Sequence, residues 1–282
     1  MNSNNILITG TPRSGTTMTC HLLNILPETV ALHEPMQTGQ LKGHDGPAAA
    51  VERFCDDQRQ SILEHGLAIS KHVGGTVPAN PVGTSRTDAG LRKREVSKGE
   101  IIIDKELSPD FALVVKHCGS FTATLDRLVP RFPVYAIVRN PLSMLASWAT
   151  VEFAVQRGRV PVAEGLDPQL KAELASIDDV LDRQIHILTW FHDRIHRYLP
   201  DEAIIRYESI VETGGKALAV VRPGAASLAE PLQSQNTSDL YDRERMARIG
   251  ERLLKSEGAH WQSYSKESVE RLLGEMTGVA RR

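Results

Sequence analysis

Residues 6–17 read Ile-Leu-Ile-Thr-Gly-Thr-Pro-Arg-Ser-Gly-Thr-Thr, an apolar run entering a loop bounded by Gly10 and Gly15. The spacing is nearly that of a nucleotide P-loop, G-x-x-x-x-G-K-[ST], in which backbone N–H groups and a helix N-terminus converge on an anion. Thr17 keeps the hydroxyl of that pattern, but Thr16 stands where the lysine belongs. The point charge that grips the terminal phosphates of ATP or GTP is therefore missing. Arg13 instead places a planar, bidentate cation earlier in the loop. Such a loop suits phosphate or sulfate on a nucleotide that is not an ordinary triphosphate.

A second anion site is written in Val134-Tyr-Ala-Ile-Val-Arg-Asn-Pro-Leu-Ser-Met-Leu-Ala-Ser147. A buried strand ending at Arg139 delivers a guanidinium to the carboxyl edge of a sheet, where ligands bind in open α/β folds. Ser147 lies about two helical turns along the helix that starts near Pro141, so both side chains can face one phosphate. Alone, an arginine at a strand end also reads as a structural ion pair, and a serine in a helix as packing or surface.

The elements that must hold these groups alternate along the chain. Strands are predicted at about 5–9, 29–32, 101–103, 111–115, 133–138 and 203–205. Helices are predicted at about 15–26, 47–66, 120–129, from 141, and at about 178–198, 239–256 and 266–276. This alternation predicts one α/β domain over 1–282 with a mostly parallel sheet and ligands beyond the strand ends. The runs 101–103 and 111–115 form two strands or a hairpin-like pair around Ser108-Pro109-Asp110. From about 39 to 100 the periodicity weakens, which marks an insertion or lid flanking the motif strands. There Arg92-Lys93-Arg94 is a solvated loop or a substrate-contact surface. The stretch 152–176 flanks the same strands, and both are expected to frame one substrate pocket. His186, His192 and His196 read as a solvent-facing stripe, since the i, i+4 pair has no third metal ligand. Trp148, Trp190 and Phe191 read as core.

Composition narrows the class. The 282 residues are 41% hydrophobic, with 33 basic against 35 acidic side chains and a net charge of −2. That balance argues against a dedicated nucleic-acid binder. Three separated cysteines, Cys20, Cys55 and Cys118, make neither a disulfide framework nor a zinc site. A first strand from about Asn5 leaves no room for a signal peptide or N-terminal anchor, and no apolar run is long enough to span a bilayer. The expectation is a cytoplasmic protein without a transmembrane segment. Aromatic residues are only 5% of the chain, so the acceptor is expected to be polar: a small hydroxylated molecule, a carbohydrate or a lipid headgroup.

Together, Thr-Pro-Arg-Ser-Gly-Thr-Thr and Val-Arg-Asn-Pro-x-Ser-x-x-x-Ser resemble the sulfotransferases that use 3′-phosphoadenosine 5′-phosphosulfate (PAPS). A third segment, Ile205-Arg-Tyr-Glu-Ser-Ile-Val211, is similar to the family's adenosine-side segment. The resemblance covers under a third of the chain and is closer to the carbohydrate, protein-tyrosine and bacterial branches, which carry arginine at the position of Arg13. It implies a three-layer α/β/α, P-loop-type fold in which Pro12, Arg13, Ser14, Gly15, Thr16 and Thr17 cradle the 5′-phosphosulfate. It also implies that Arg139 and Ser147 hold the 3′-phosphate, that Tyr207 lies near adenosine, and that no metal is required. Lys116 matches a family lysine that reaches the transferring group. Two residues compete as base: Glu34, 21 positions after Arg13, and His117, next to Lys116. If the strand continues past Lys116, alternation makes it hard for Lys116 and His117 both to enter the site. The cytosolic branch's basic C-terminal motif is absent, which leaves C-terminal nucleotide contacts unassigned. Two other readings stay open. One is a small-molecule kinase with Asp104 as the magnesium-binding aspartate at a strand end; the other is a non-catalytic nucleotide-binding scaffold.

Overall fold

The apolar runs around the loop become the middle of a parallel sheet. The computed structural model describes residues 3–278. Its strands are β1 (Asn5–Gly10), β2 (Thr29–His33), β3 (Leu67–His72), β4 (Val82–Arg86), β5 (Arg92–Arg94), β6 (Ser97–Ile102), β7 (Ala112–Lys116), β8 (Val134–Val138) and β9 (Ile204–Arg206). Five of them form the central sheet in the order β2-β7-β1-β8-β9, and every pairing is parallel. Strands β1, β2 and β7 are buried along their whole length, as a sheet with helices on both faces requires. The fold is the expected α/β arrangement with a central parallel sheet. Successive strands fall on opposite sides of β1, so the carboxyl ends of β1, β7 and β8 open onto a shared crevice.

The helices are α1 (Thr16–Leu23), α2 (Gly46–His65), α3 (Gly119–Ala123), α4 (Leu125–Leu128), α5 (Pro141–Trp148), α6 (Pro161–Glu164), α7 (Pro168–Ser176), α8 (Val180–Tyr198), α9 (Tyr207–Glu212), α10 (Arg243–Leu254), α11 (His260–Ser263) and α12 (Lys266–Thr277). One core surrounds the sheet, through Leu7, Ile8, Phe121 and Ile137. A second lies among α5, α8, α10 and α12, through Trp148, Leu188, Phe191 and Val269. Trp148 and Phe191 are thus core, as expected. Among the described residues, no helix is long and apolar enough to cross a membrane. Cys20, Cys55 and Cys118 are all free and buried, and burial pushes the Cys20 and Cys55 thiols up to about 12.

Several local expectations need correction. The runs 101–103 and 111–115 do not pair with each other: β6 pairs antiparallel with β3, while β7 inserts between β2 and β1. The reason is burial, because β7 is apolar on both faces and β6 is largely exposed. Arg92–Arg94 is not a loop but strand β5, paired with β4. The helix expected over 120–129 is two short ones broken at Thr124, whose Oγ1 donates to the Ser120 carbonyl at 2.9 Å. The histidine stripe does not face solvent. His192 is fully buried, the rings of His192 and His196 both contact Ser263 Oγ, and His186 pairs with Glu173 at 2.9 Å.

Gly10 ends β1 at φ 140°, where an added Cβ would lie 2.2 Å from the Ile137 carbonyl oxygen. Substitution therefore adds left-handed backbone strain to a clash with a central strand. Gly10→Ala is expected to lower stability by about 3 kcal/mol, read as a shifted urea midpoint at unchanged slope.

Candidate functional site

The loop after β1 is fixed from two sides. The Trp148 indole N–H donates to the Pro12 carbonyl at 2.8 Å, which ties the loop to α5. Gly15, at φ 95°, is the N-cap of α1 and offers no side chain to its first turn, leaving N–H groups there open to an anion. A Cβ on Gly15 would meet the Tyr207 ring at 2.7 Å, so the start of α9 packs directly against the loop. Thr16 and Thr17 line the crevice, and Thr16 Oγ1 lies 3.5 Å from Cys118 Sγ. Ser14 Oγ is buried without a hydrogen-bond partner.

Arg13 adopts φ 76°, a conformation that non-glycine residues rarely hold except at over-determined sites. Its Nε donates to Ser147 Oγ at 3.3 Å and its Nη1 to Asn80 Oδ1 at 3.1 Å. Burial, and then the charges of Arg92 and Arg139, lower its guanidinium to about 10; it remains cationic at neutral pH. Arg139 is only 4% exposed. It donates to the Gln235 carbonyl at 2.6 Å, Asn236 Oδ1 at 2.8 Å and the Arg13 carbonyl at 3.2 Å. Its guanidinium also lies 4.6 Å from the Tyr207 ring centroid. None of these partners is a carboxylate, so a structural ion pair does not account for Arg139. A buried cation held only by neutral oxygens keeps a charge that no protein anion in contact with it offsets.

The structure thus brings Arg13, Arg139, Ser147 and Tyr207 together, with Ser147 bonded to Arg13 rather than to Arg139. Glu208, beside Tyr207, braces the assembly. Its carboxylate accepts from the Asn140 N–H at 3.1 Å, Asn236 Nδ2 at 2.9 Å and the Tyr264 hydroxyl at 2.6 Å.

The other end of the crevice is built on β2 and β7. His33 and Lys116 are register partners, and both strands stop there. Because β7 ends at Lys116, His117 escapes strict alternation, and both residues line the crevice. Lys116 Nζ lies 3.0 Å from Glu34 Oε1, and Lys71 Nζ pairs with Glu34 Oε2. The Lys116 side chain is 3% exposed and that of Glu34 26%. Burial opposes the Glu34 charge, but Lys116 and Lys71 outweigh it and hold the carboxyl well below its usual range. Burial likewise opposes the Lys116 charge; the neighbouring Cys118 and Glu34 reverse that and hold the ammonium above its usual range. Glu34 also has positive φ, 45°.

His117 Nε2 accepts the Met36 N–H at 3.1 Å. In a neutral ring the proton is then on Nδ1, and neither nitrogen is free to take another. Burial pushes His117 down to about 3, so it is neutral at ordinary pH. Of the two residues, Glu34 is the one that is ionised and lies between two lysines.

Arg13, Arg139, Tyr207, Glu34, Lys71, Lys116 and His117 line one cavity of about 500 Å³, within the range of small-ligand sites, whereas Ser14 and Ser147 lie behind its wall and are not part of its lining. Strands β3, β5 and β6 contribute Lys71, Arg94 and Lys98, and the segment after α5 contributes Phe153 to Ala163. Asp104 follows β6, outside the central sheet, and is not on this wall; the kinase expectation loses its magnesium ligand. Among the described residues, no three His, Cys, Asp or Glu side chains are grouped to hold a metal. Sequence reasoning missed Lys71, Asn80, Gln235 and Asn236, for which no local pattern gives a signal.

No protein-family model matches the chain, and no curated protein matches it. Among solved structures it is similar to the sulfotransferase STF9 from Mycobacterium avium, at 14% identity and a TM-score of 0.36. That match covers 99% of this chain and 77% of the other. Likeness at this level carries neither activity nor substrate across.

Proposed function

We propose that this chain transfers a sulfuryl group from PAPS to a hydroxyl or amine of a small-molecule, carbohydrate or lipid-headgroup acceptor. The observation that supports the reading is one cavity that joins the uncapped start of α1 to Arg139, which has no carboxylate partner, and leads to Glu34 between two lysines. The missing P-loop lysine sets it apart from a triphosphate site. The resemblance of the two motifs supplies the nucleotide's identity.

Bound there, PAPS supplies an activated sulfur. The α1 N–H groups, with Thr16, Thr17 and Arg13, meet the charge that builds on the leaving phosphate oxygen. Arg139, backed by Tyr207 and with Ser147 nearby, holds the 3′-phosphate. Lys116 faces the transferring group. Glu34 takes the acceptor's proton as the acceptor oxygen bonds to sulfur and the sulfur–phosphate oxygen bond breaks. The products are the sulfated acceptor and adenosine 3′,5′-bisphosphate. The whole chain acts as one unit, with the insertion at about 39–100 covering the acceptor side.

Calorimetric titration tests this directly. Adenosine 3′,5′-bisphosphate is expected to bind, and ATP with magnesium to bind far more weakly. Arg139→Ala should cost the bisphosphate roughly a hundredfold in affinity, about the 3 kcal/mol of a buried charge-assisted contact. Adenosine 5′-phosphate should lose only a small factor. An equal loss for both nucleotides rejects the assignment of Arg139.

A further inference from the structure

Beyond Glu34 the cavity wall is basic in a way the transfer chemistry does not use. Lys71 on β3 and Lys98 on β6 are direct cross-strand partners, and both line the cavity. Like charges directly opposite in an antiparallel pair repel each other. Glu34 neutralises Lys71, but among the described residues Lys98 has no carboxylate within ion-pair distance. Lys98 is an exposed residue, and partial desolvation with the Lys71 charge lowers its ammonium below the ordinary range, as expected of a cation set beside a like charge.

Arg94, at the end of β5, faces the same cavity and also lacks an acidic partner among the described residues. Its guanidinium lies 4.7 Å from the Phe153 ring centroid, which holds it in place and leaves its N–H donors open. Glu95, between these two cations, is turned away over Gly83. The contacts run outward from the sheet edge as Lys116, Glu34, Lys71, Lys98. A molecule that presents a hydroxyl to Glu34 shares the cavity with Lys98 and Arg94.

We infer that Lys98 and Arg94 form an anion subsite, and that the acceptor carries a carboxylate, phosphate or sulfate close to the hydroxyl it presents. The inference rests on the transferase reading for the word acceptor, but the subsite itself is testable by binding alone.

The probes are methyl glucoside, methyl glucuronide and a methyl glucoside phosphate, titrated calorimetrically at low ionic strength with and without saturating adenosine 3′,5′-bisphosphate. Both charged probes are expected to bind at least about ten-fold more tightly than the neutral one, and comparing them separates carboxylate from phosphate recognition. R94Q/K98Q should bring all three within about two-fold of one another. The variant's affinity for the bisphosphate, read in the same cell, reports that it is folded. Equal binding of all three probes, binding of none at millimolar concentration, or an undiminished charge preference in R94Q/K98Q overturns the subsite. Failure of the bisphosphate to bind instead removes the transferase reading and leaves the probe result to stand or fall by itself.

Discussion

Glu34→Gln is expected to cost both turnover and stability. Removing the carboxylate takes away the proposed proton acceptor, for an expected rate loss of roughly 10²–10⁴. It also leaves Lys116, with a side chain only 3% exposed, as a buried cation without a counter-charge, at about 3 kcal/mol. The two losses separate in a double variant. Glu34→Gln with Lys116→Met removes the orphan charge and should recover most of the stability in denaturant titration. Sulfate transfer should stay abolished, because neither base nor cation returns. Stability that does not recover would mean that Lys116 is not the group left unpaired. Turnover surviving in Glu34→Gln would remove Glu34 as the base.

The fold should also weaken in mild acid, beginning above the range where carboxylates titrate. His33, His117, His192 and His260 are buried, and burial pushes them to about 2, 3, 3 and 4. Each is neutral in the folded chain and takes a proton below about 6.5 once unfolded. The unfolded state therefore binds more protons as pH drops through 6.5, and stability falls with it until each folded-state value is reached. At pH 5 each histidine accounts for about 2 kcal/mol, on the scale of a total stability of about 5–15 kcal/mol. Glu34 works lower down: its depressed carboxyl stabilises the fold above about 4.5 and loses that contribution only as pH falls further. A calorimetric Tm is expected to be flat between pH 7 and 8 and to drop by about 10 °C or more by pH 5. A flat Tm down to pH 5 would mean that these imidazoles are hydrated or paired in the folded chain.

What could be read from the chain follows how local the information is. The loop from Gly10 to Thr17 and the strand-to-helix passage at Arg139 carry their geometry within a few residues, because glycine, proline and apolar runs dictate it directly. The sheet followed from the same runs. Lys71, Asn80 and Gln235 reach the site across 37, 67 and 96 positions to Glu34, Arg13 and Arg139, and no periodicity encodes such meetings. Lys116 and His117 turn on where a strand ends. Alternation holds only while a strand lasts, and β7 stops at Lys116, level with His33 at the end of β2. The arginines of 92–94 looked like a solvated turn because pairing with β4 is a tertiary fact.

The hold of Gln235 and Asn236 on Arg139 has a kinetic corollary. With the Arg13 carbonyl, their two oxygens already occupy three of the five guanidinium donors, so an incoming anion has to displace some of them, and its gain is reduced by what they gave. On the proposed reading, the same exchange run backwards would let the chain re-cover the cation as the spent nucleotide leaves. A built-in competitor of this kind trades tightness for turnover.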